Sequence, residues 1–510
     1  MTPASPGSGY REIERKFRVP AGFAVPDFSG VPGVAEVEAH PAFMMTNDYY
    51  DTADLRLFRW GITLRRRQGG PDAGWHLKLP VGGHGEGGRD EIRVPLTPAD
   101  AGVPDELARI VAPFVRRGHL EHVAGLRTHR APVVLLDSLG TPVIEVVDDH
   151  VHIQGGTSFR EIEAAAKPTP DGALDEDLLH RVSELLLTAG ATPGTTSKAG
   201  AALGPRAAVP PDVAEMPWPK AQAPAGDVVH AYLAQHTRRL LLADLMLRRD
   251  LPDAVHQMRV SARRLRSGLK VFAPLIDRSW ATRMRDELGW MASGLGEARD
   301  TEVLQARLDA HTAELGGDDG ARARALIDTA MQSRLALARD ATDQVVASGR
   351  YLDLLEDLVD GVRRPPLTSR ADRPADRVLP GLVAKAFDRL ERRITGLSLD
   401  TPSAQWHEAR IAAKRARYAA DAVAPVIGSG MGRLAERLAE VTEVLGTHQD
   451  AHVAQTALRE LASAGSASGQ DAFALGRLLA VEQGAEMADR RDFLALWPSV
   501  RKAARRAGVA

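Results

Sequence analysis

The chain has 510 residues with 44% apolar and 26% charged side chains, a composition that excludes wholesale disorder and a length that predicts two or more domains. It contains no cysteine, which excludes disulfides, thiolate zinc sites and cysteine nucleophiles. The formal net charge is only −2 at pH 7, so any anion-binding surface must come from local clusters of basic residues.

The N-terminus combines a short tail with a strand-like pattern. Residues 1–9 are predicted to be a disordered tail without the layout of a signal peptide, and no apolar run in the chain approaches 18 residues. We therefore expect a cytoplasmic protein without a membrane partner. In "YREIERKFRV", residues 10–19, charged and apolar residues alternate, which predicts a strand with Glu12, Glu14 and Lys16 on one face.

Alternating segments of this kind predict a β-rich first domain. They lie at 11–19, 61–67, 75–80, 89–95, 130–137, 142–149 and 159–164. Several carry charged residues on one face: Arg65 with Arg67, His76 with Lys78, Arg89 with Glu91 and Arg93, and Glu161 with Glu163. We expect these strands to form an antiparallel closed barrel around a polar tunnel. The glycine-rich residues 81–88 predict a flexible hairpin tip and not a phosphate-binding loop.

A tunnel with these charges has a coherent chemical use. Paired glutamates of the first and last strands would hold a hard divalent cation, Mg²⁺ or Mn²⁺: Glu12, Glu14, Glu161 and Glu163. Basic residues of the other strands would bind the oxygens of a phosphate chain: Lys16, Arg65, Arg67, Lys78 and Arg130. This arrangement predicts metal-assisted attack of water on a terminal phosphorus without a covalent nucleophile.

Residues 10–204 resemble the CYTH family, the triphosphate tunnel metalloenzymes. The motifs that carry the resemblance are "EIERK", "YYDT" at 49–52, "GITLRRR", "WHLKL", the Arg130 position, "FREIE" and "SK" at 197–198. The resemblance implies a barrel that binds triphosphates with a metal, in a family that includes inorganic triphosphatases, thiamine triphosphatase, RNA triphosphatases and class IV adenylyl cyclases. It also implies Asp149 as a metal ligand, Lys198 as a phosphate contact, and the following catalytic residues: Glu12, Glu14, Lys16 and Lys78.

Two of these positions have neighbouring alternatives. Asp148 or Asp149 could be the acidic residue of the strand, and alternation favours Asp149 because it shares parity with Glu145. Arg127 competes with Arg130, which is favoured because it lies at the start of the strand "APVVLL".

The second half of the chain is predicted to be helical and internally repeated. Residues 205–226 contain six prolines and predict a semi-rigid linker, after which helical spacing continues to residue 510. The segments "HQMRVSARRLR" and "HEARIAAKRAR" share the same offsets of histidine and basic residues, and "LGEARD" and "LGTHQD" follow them at similar distances. We expect a domain over 227–510 with two pseudo-repeated helical bundles, at about 227–362 and 378–510.

The two basic segments predict an anion-binding surface. On a helix, their basic residues fall within an arc of about 160°, and apolar residues such as Met258, Leu265 and Ala413 lie on the opposite side. Between His256 and Lys270 there is no acidic residue, so the usual ion pairs within the helix are missing. Few aromatic residues accompany these segments, which argues against nucleic acid and favours linear polyphosphate.

The same segments resemble the CHAD family, whose members bind inorganic polyphosphate through paired basic helices in a pseudo-symmetric helical fold. By this resemblance the candidate polyphosphate contacts are His256, Arg259, Arg263, Arg264, Arg266, His407, Arg410, Lys414, Arg415 and Arg417.

The two halves together predict an α+β multidomain protein with one ligand chemistry. The leading interpretation is metal-dependent hydrolysis of inorganic triphosphate or short polyphosphate in the barrel, with polyphosphate tethered by the helical domain. The alternative is a non-catalytic protein that binds polyphosphate or is targeted to polyphosphate granules. Nucleotide cyclisation would need an adenine pocket, and thiamine triphosphate would need an apolar thiazolium site; no motif indicates either.

Overall fold

A computed structural model of the chain describes residues 13–80, 89–98, 101–169, 172–463 and 468–510. The predicted tail at 1–9, Glu12 and the predicted hairpin tip at 81–88 lie outside the described residues. The chain divides into two compact units, Met1–Asp212 and Val213–Ala510. The division falls within the predicted linker, whose first residues fold onto the first unit, since the indole N–H of Trp60 donates to Asp212 at 2.8 Å.

The first unit is built on one antiparallel sheet. Its strands are β1 Glu14–Val19, β2 Glu36–Ala39, β3 Phe43–Asp51, β4 Thr63–Gln68, β5 Gly74–Pro80, β6 Arg89–Val94, β7 Glu121–Leu136, β8 Pro142–Ile153, β9 Ser158–Ala166 and β10 Thr192–Pro193. They are paired in the order β10-β1-β9-β8-β7-β3-β4-β5-β6, and β2 pairs with the second half of β7. All seven predicted strands are present, whereas β2, β3 and β10 were not predicted.

The prediction of a closed barrel is wrong for the strands that the structure describes. Closure requires every strand to be paired on both sides, but β6 pairs only with β5, and β10 pairs only with β1. The sheet is therefore open at both ends of this order. Alternation of charged and apolar residues shows only that each strand has two unlike faces, and an open sheet with one covered face produces the same pattern.

Short helices cover part of this sheet. They are α1 Arg56–Arg59, α2 Asp105–Val115, α3 Glu176–Thr188 and α4 Lys198–Leu203, followed by a 3₁₀ turn at Gly204–Ala208. The apolar side chains of α3, including Leu179 and Val182, pack with Phe17 of β1, Val146 of β8 and Ile162 of β9 in one core. Because α3 covers the apolar face of these strands, their charged residues face the other way.

The regular elements of the second unit, over the residues that the structure describes, are helices. Its helices are α5 Ala225–Leu247, α6 Ala254–Val271, α7 Arg278–Gly294, α8 Gly296–Leu315, α9 Gly317–Ala347, α10 Gly349–Arg363, α11 Ala375–Ile394, α12 Ser403–Ile427, α13 Ser429–Ser463 and α14 Gly469–Arg506. The two basic segments lie on α6 and α12, and their predicted apolar faces are buried, as Met258, Leu265 and Ala413 show. A helical domain is thus confirmed, while its tandem repeat stays a prediction. None of the described helices is long and apolar enough to cross a membrane.

A row of buried polar residues ties α14 to its neighbours. Glu482, Glu486 and Arg490 follow one another at intervals of one turn, and all three are buried. They contact Arg307 and His311 of α8, Ser403 of α12, and His448 and Gln455 of α13. Removing one member would leave buried charges or donors unpaired, so this ladder fixes α14 against three helices.

Candidate functional site

Six of the predicted site residues meet on the charged face of the sheet: Lys16, Arg130, Asp149, Glu161, Glu163 and Lys198. The strand register explains the first five. Lys16 lies opposite Glu163 in the β1–β9 pair, and Asp149 lies opposite Glu161 in the β8–β9 pair and opposite Arg130 in the β7–β8 pair. Residues opposite one another across paired strands point to the same face, so their side chains come together.

Lys198 brings the three carboxylates of this cluster to one point. Its ammonium lies 2.8 Å from Asp149 Oδ2, 3.0 Å from Glu161 Oε1 and 2.8 Å from Glu163 Oε1. It is the first residue of α4, whose start is capped by Ser197, because the Ser197 hydroxyl accepts from the Gly200 N–H. A cation therefore already occupies the point at which these carboxylates converge.

The surrounding cations keep the Glu163 carboxylate ionised. Burial alone would raise the pKa of Glu163, but Lys198, Lys16 and Arg130 outweigh it and hold that pKa well below its usual range. The Arg130 guanidinium also donates two hydrogen bonds to the Asp149 carboxylate, at 2.8 and 2.6 Å. Asp149 and Glu161 are completely buried, and low-dielectric surroundings strengthen each of these interactions.

The charges of this cluster balance one another. Its carboxylates are Glu14, Asp149, Glu161 and Glu163, and its cations are Lys16, Arg18, Arg130 and Lys198. Arg18 was not predicted, although it shares the alternating face with Lys16 and its guanidinium lies 3.6 Å from Glu161. Both carboxylate oxygens of Glu161 are buried, and they face Lys198 and Arg18 as ion pairs without well-aligned hydrogen bonds. Glu161 thus retains capacity for a further cation.

A second charged group lies on β4, β5 and β6. Glu91 is its centre, because Glu91 accepts from His76 at 2.9 Å and lies 3.7 Å from Arg65 and 3.9 Å from Lys78. Arg67 pairs with Asp72, and burial together with the charges of Arg65 and Arg130 lowers the pKa of Arg67 to about 10. The influence of Arg130 shows that the two groups approach each other across this face.

Sequence reasoning placed Glu91 on the correct face without giving it a role. The sequence pattern that could have identified it is its alternation with Arg89 and Arg93, which places a carboxylate among basic residues on one strand face. Which cations it would meet depends on the β5–β6 register, where Lys78 lies opposite Glu91.

For each of the two pairs of alternative residues, Asp148 or Asp149 and Arg127 or Arg130, the two members lie on opposite faces of the sheet. Asp148 points away from the cluster and is held by Arg160 at 2.9 and 2.6 Å, whereas Asp149 points into it. Arg127 is exposed and lies opposite His152, whereas Arg130 lies within the cluster. Glu14 lies at the edge of the cluster, with a carboxylate oxygen 2.9 Å from the Lys16 ammonium.

The basic residues of α6 and α12 lie close together on one surface, which includes a cavity. Arg259, Arg263 and Arg266 line a cavity of about 690 Å³. Arg410 and Lys414 of α12 lie close enough to Arg263 for its charge to lower the pKa of both, after the larger effect of burial. His256 lies near the start of α6, and Arg266 and Arg415 are exposed.

Carboxylates from other helices neutralise part of this surface, which the local sequence did not reveal. Arg259 donates to Asp300 at 3.0 Å, and Arg264 donates to Asp421 at 2.6 Å. Three further members also have partners. Arg417 donates to Thr442 and lies 3.7 Å from Asp421, Arg410 interacts with Asp450, and His407 forms a hydrogen bond with Gln449. Arg264 and Arg417 therefore contribute to packing of α6 on α12 as well as to the charge of the surface.

Two family models match the chain, one for each unit. The CYTH domain matches residues 10–189, and the CHAD domain matches residues 231–459. Uncharacterized proteins from two strains of Mycobacterium tuberculosis are each 34% identical over 512 residues, which cover 94% of this chain and 94% of each relative. The chain is a CYTH–CHAD protein. This confirms both resemblances, and the CYTH family to which the first unit belongs is metal-dependent.

Solved structures resemble the separate domains. PptA from Streptomyces chartreusis is 28% identical and covers 54% of this chain and 100% of its own, with a TM-score of 0.48. The CHAD domain from the plant Ricinus communis is 29% identical and covers 55% of this chain and 93% of its own, with a TM-score of 0.45. The family assignment rests on the domain matches and on the full-length Mycobacterium relatives.

The CYTH cluster has the donor chemistry of a metal site but not a preformed one. Within the described ranges, no group of three or more His, Asp or Glu side chains is arranged to hold a metal ion. Lys198 occupies the point where Asp149, Glu161 and Glu163 converge, and Glu12 lies outside the described residues. Carboxylate oxygens are the ligands that Mg²⁺ and Mn²⁺ prefer, and Asp149, Glu161 and Glu163 bring such oxygens to one point, so the residues fit such an ion.

Proposed function

We propose that the CYTH domain hydrolyses inorganic triphosphate or short polyphosphate with Mg²⁺ or Mn²⁺, and that the CHAD domain binds polyphosphate. The observation that carries the first part is the buried cluster in which Asp149, Glu161 and Glu163 share Lys198. It combines ligands for a hard cation with cations for phosphate, which are the two requirements of phosphoryl transfer to water.

Charge balance supports a joint requirement for metal and substrate. Among the described residues the carboxylates and cations of the cluster are equal in number, so entry of a triphosphate adds several negative charges that these cations cannot offset while they remain bound to carboxylates. A divalent ion held by Asp149, Glu161 and Glu163, with Glu12 and Glu14, would supply charge neutralisation and orientation of the attacking water. Without such compensation, a buried excess of negative charge would oppose binding.

The residues of the chain then have separate tasks. Lys16, Arg130 and Lys198 move from carboxylates to phosphate oxygens, because their side chains already lie at the cluster. Arg65, Arg67 and Lys78 bind the remainder of the phosphate chain from β4 and β5. The catalytic set is therefore Glu12, Glu14, Lys16 and Lys78, together with the carboxylates above. Burial of Asp149 and Glu161 excludes bulk water and strengthens the interactions with developing charge.

The test is release of phosphate from tripolyphosphate by the full chain, with Mg²⁺, with Mn²⁺ and with EDTA. We expect metal-dependent turnover that Glu163→Gln removes, because this change deletes a charge shared by three cations. Glu38→Gln is the control, since Glu38 is 55% exposed on β2. Absence of turnover in the wild type with both metals over a wide pH range would overturn the enzymatic part of the proposal.

The CHAD part of the proposal rests on the cavity lined by Arg259, Arg263 and Arg266 and on the adjacent Arg410 and Lys414. The guanidinium Nε–H groups of Arg263 and Arg410 are buried and donate no hydrogen bond among the described residues, so a donor remains for an anionic ligand. A domain that binds the polymer in this way would concentrate where polyphosphate accumulates, which makes association with polyphosphate granules part of the proposal.

Polyphosphate binding is expected to weaken as pH rises through about 8. Burial and the charges of Arg410 and Arg263 lower the pKa of Lys414 to about 8, so its ammonium loses its proton above that pH. Phosphate favours the charged form and binding therefore takes up a proton. Affinity for long-chain polyphosphate at pH 7, 8 and 9 and constant ionic strength checks this. Lys414→Arg should flatten the profile, and a flat profile in the wild type would contradict the prediction.

A further inference from the structure

A group of basic residues lies beside the predicted polyphosphate surface but mostly outside its motif. Its members are Lys270 at the end of α6, Arg285 on α7, Arg389 on α11 and Arg415 on α12. Only Arg415 belongs to the residues carried over from the CHAD family. We refer to these four residues as the distal basic cluster.

The contact between α6 and α7 places the first two members together. The guanidinium of Arg266 lies 3.5 Å from the position that a Cβ atom at Gly289 would occupy. The two helices are joined by a short connection and run antiparallel. The residue one turn after Arg266 on α6 is therefore adjacent to the residue one turn before Gly289 on α7. These positions are Lys270 and Arg285.

The contacts that α12 makes with α6 and α11 bring Arg415 and Arg389 close to Lys270. Arg264 of α6 donates to Asp421 of α12, which fixes the seam between these helices near Arg415. Arg393 of α11 donates to Glu408 of α12 at 2.5 Å, and Arg389 lies one turn before Arg393, further along the same α11–α12 pair. All four helices of the cluster thus meet around Lys270.

Like charges within the distal basic cluster lower the pKa of two of its members. After burial, Arg415, Arg285 and Arg389 lower the pKa of Lys270, and Arg389 and Arg285 lower that of Arg415. Within the described residues, none of the four forms an ion pair with a carboxylate, in contrast to Arg259 and Arg264 of the motif. Like charges held together without a counter-ion repel one another, and a bound polyanion would relieve that repulsion.

Arg266 connects the distal basic cluster to the cavity. It lines the cavity with Arg259 and Arg263, and it precedes Lys270 by one turn on the same face of α6. From Arg263 to Lys270 the path along the helix is about 10 Å. Among the described side chains, no aromatic ring stacks on any of the four cations, which favours bare phosphates over the bases of a nucleic acid.

We propose that the distal basic cluster is a second phosphate-binding subsite, which holds a long polyphosphate chain where it leaves the cavity. This inference rests on the proposed polyphosphate binding of the CHAD domain. It adds Lys270, Arg285 and Arg389 to the binding residues and makes affinity depend on chain length, since a long chain reaches both places and a short chain only one.

The test compares two double variants of the full chain in EDTA, with long-chain polyphosphate as the ligand and salt titrations. Arg285→Gln/Arg389→Gln removes two members of the cluster. Arg283→Gln/Arg377→Gln removes two exposed arginines from the same two helices, so both variants have the same net charge. We expect the first variant to lose about tenfold in affinity and about 1.5 units of salt slope, and the control to retain both.

The outcomes separate this inference from the proposed function. Equal affinity of both variants and the wild type, with binding lost in Arg263→Gln/Lys414→Gln, would overturn the second subsite and leave polyphosphate binding in the cavity. No binding by the wild type would overturn the proposed function itself. If the cluster variant lost affinity for single-stranded RNA but not for polyphosphate, the cluster would serve nucleic acid and this inference would be wrong.

Discussion

Replacing Asp149 by asparagine is expected to reduce hydrolysis of tripolyphosphate by about 10²–10³-fold, whereas the same change at Asp148 should leave the rate within about twofold. The two residues are adjacent in the chain but lie on opposite faces of β8. Asp149 faces Lys198 and the other carboxylates, so its charge belongs to the proposed metal and phosphate site. Asp148 faces Arg160 and lies away from that site.

The pair is well matched as a test. Each aspartate is held by an arginine of a neighbouring strand through two hydrogen bonds, at 2.8 and 2.6 Å for Asp149 and at 2.9 and 2.6 Å for Asp148. Each variant therefore removes one comparable pair with an arginine, and Asp149→Asn also removes the contact with Lys198 at 2.8 Å. Thermal unfolding of both variants shows how far stability contributes to any loss of activity. Similar losses of activity in the two variants would contradict the assignment of Asp149, as would full activity of Asp149→Asn.

Lys198→Met is expected to lower the free energy of unfolding of the CYTH unit by about 3 kcal/mol in EDTA, and Mn²⁺ is expected to restore much of this loss. The substitution removes the ammonium shared by Asp149, Glu161 and Glu163 and leaves buried carboxylates to repel one another. At the proposed metal site, a divalent cation would replace the missing charge at the same oxygens. Denaturant titrations of the variant with EDTA and with Mn²⁺ measure both effects.

Lys167→Met is the control for this prediction. Lys167 is 40% exposed and pairs with Glu145 at 2.7 Å, so its loss removes a lysine–carboxylate pair that water can replace. It should change stability little and should not make unfolding sensitive to Mn²⁺. If unfolding of Lys198→Met did not respond to the metal, the three carboxylates would not be its ligands, and the proposed metal site would have to move elsewhere.

The sequence predicted the faces of the strands better than their arrangement. Alternation is a local property, so it identified Lys16, Glu161 and Glu163 as residues of one polar surface and favoured Asp149 over Asp148. Whether strands close into a barrel depends on pairing between distant segments, which alternation does not encode. The open order from β10 to β6 was therefore not foreseen.

A similar limit applies to the helical half. Spacing on α6 and α12 correctly separated basic and buried faces, because both follow from the period of a helix. The carboxylates that partly neutralise the basic face of α6 come from other helices, as Asp300 of α8 and Asp421 of α12 show. Their encounter with Arg259 and Arg264 depends on tertiary packing, so residue spacing within one segment gave no sign of it.

The ladder on α14 has a consequence for where this polypeptide can be divided. The CHAD family match ends at residue 459, ten residues before α14 begins at Gly469. Yet Glu482, Glu486 and Arg490 provide polar partners for half-buried groups of α8 and for the buried His448 and Gln455 of α13. We therefore expect a fragment that ends at residue 459 to be less stable than the complete helical unit, because it would lose α14 and leave these polar groups without their partners.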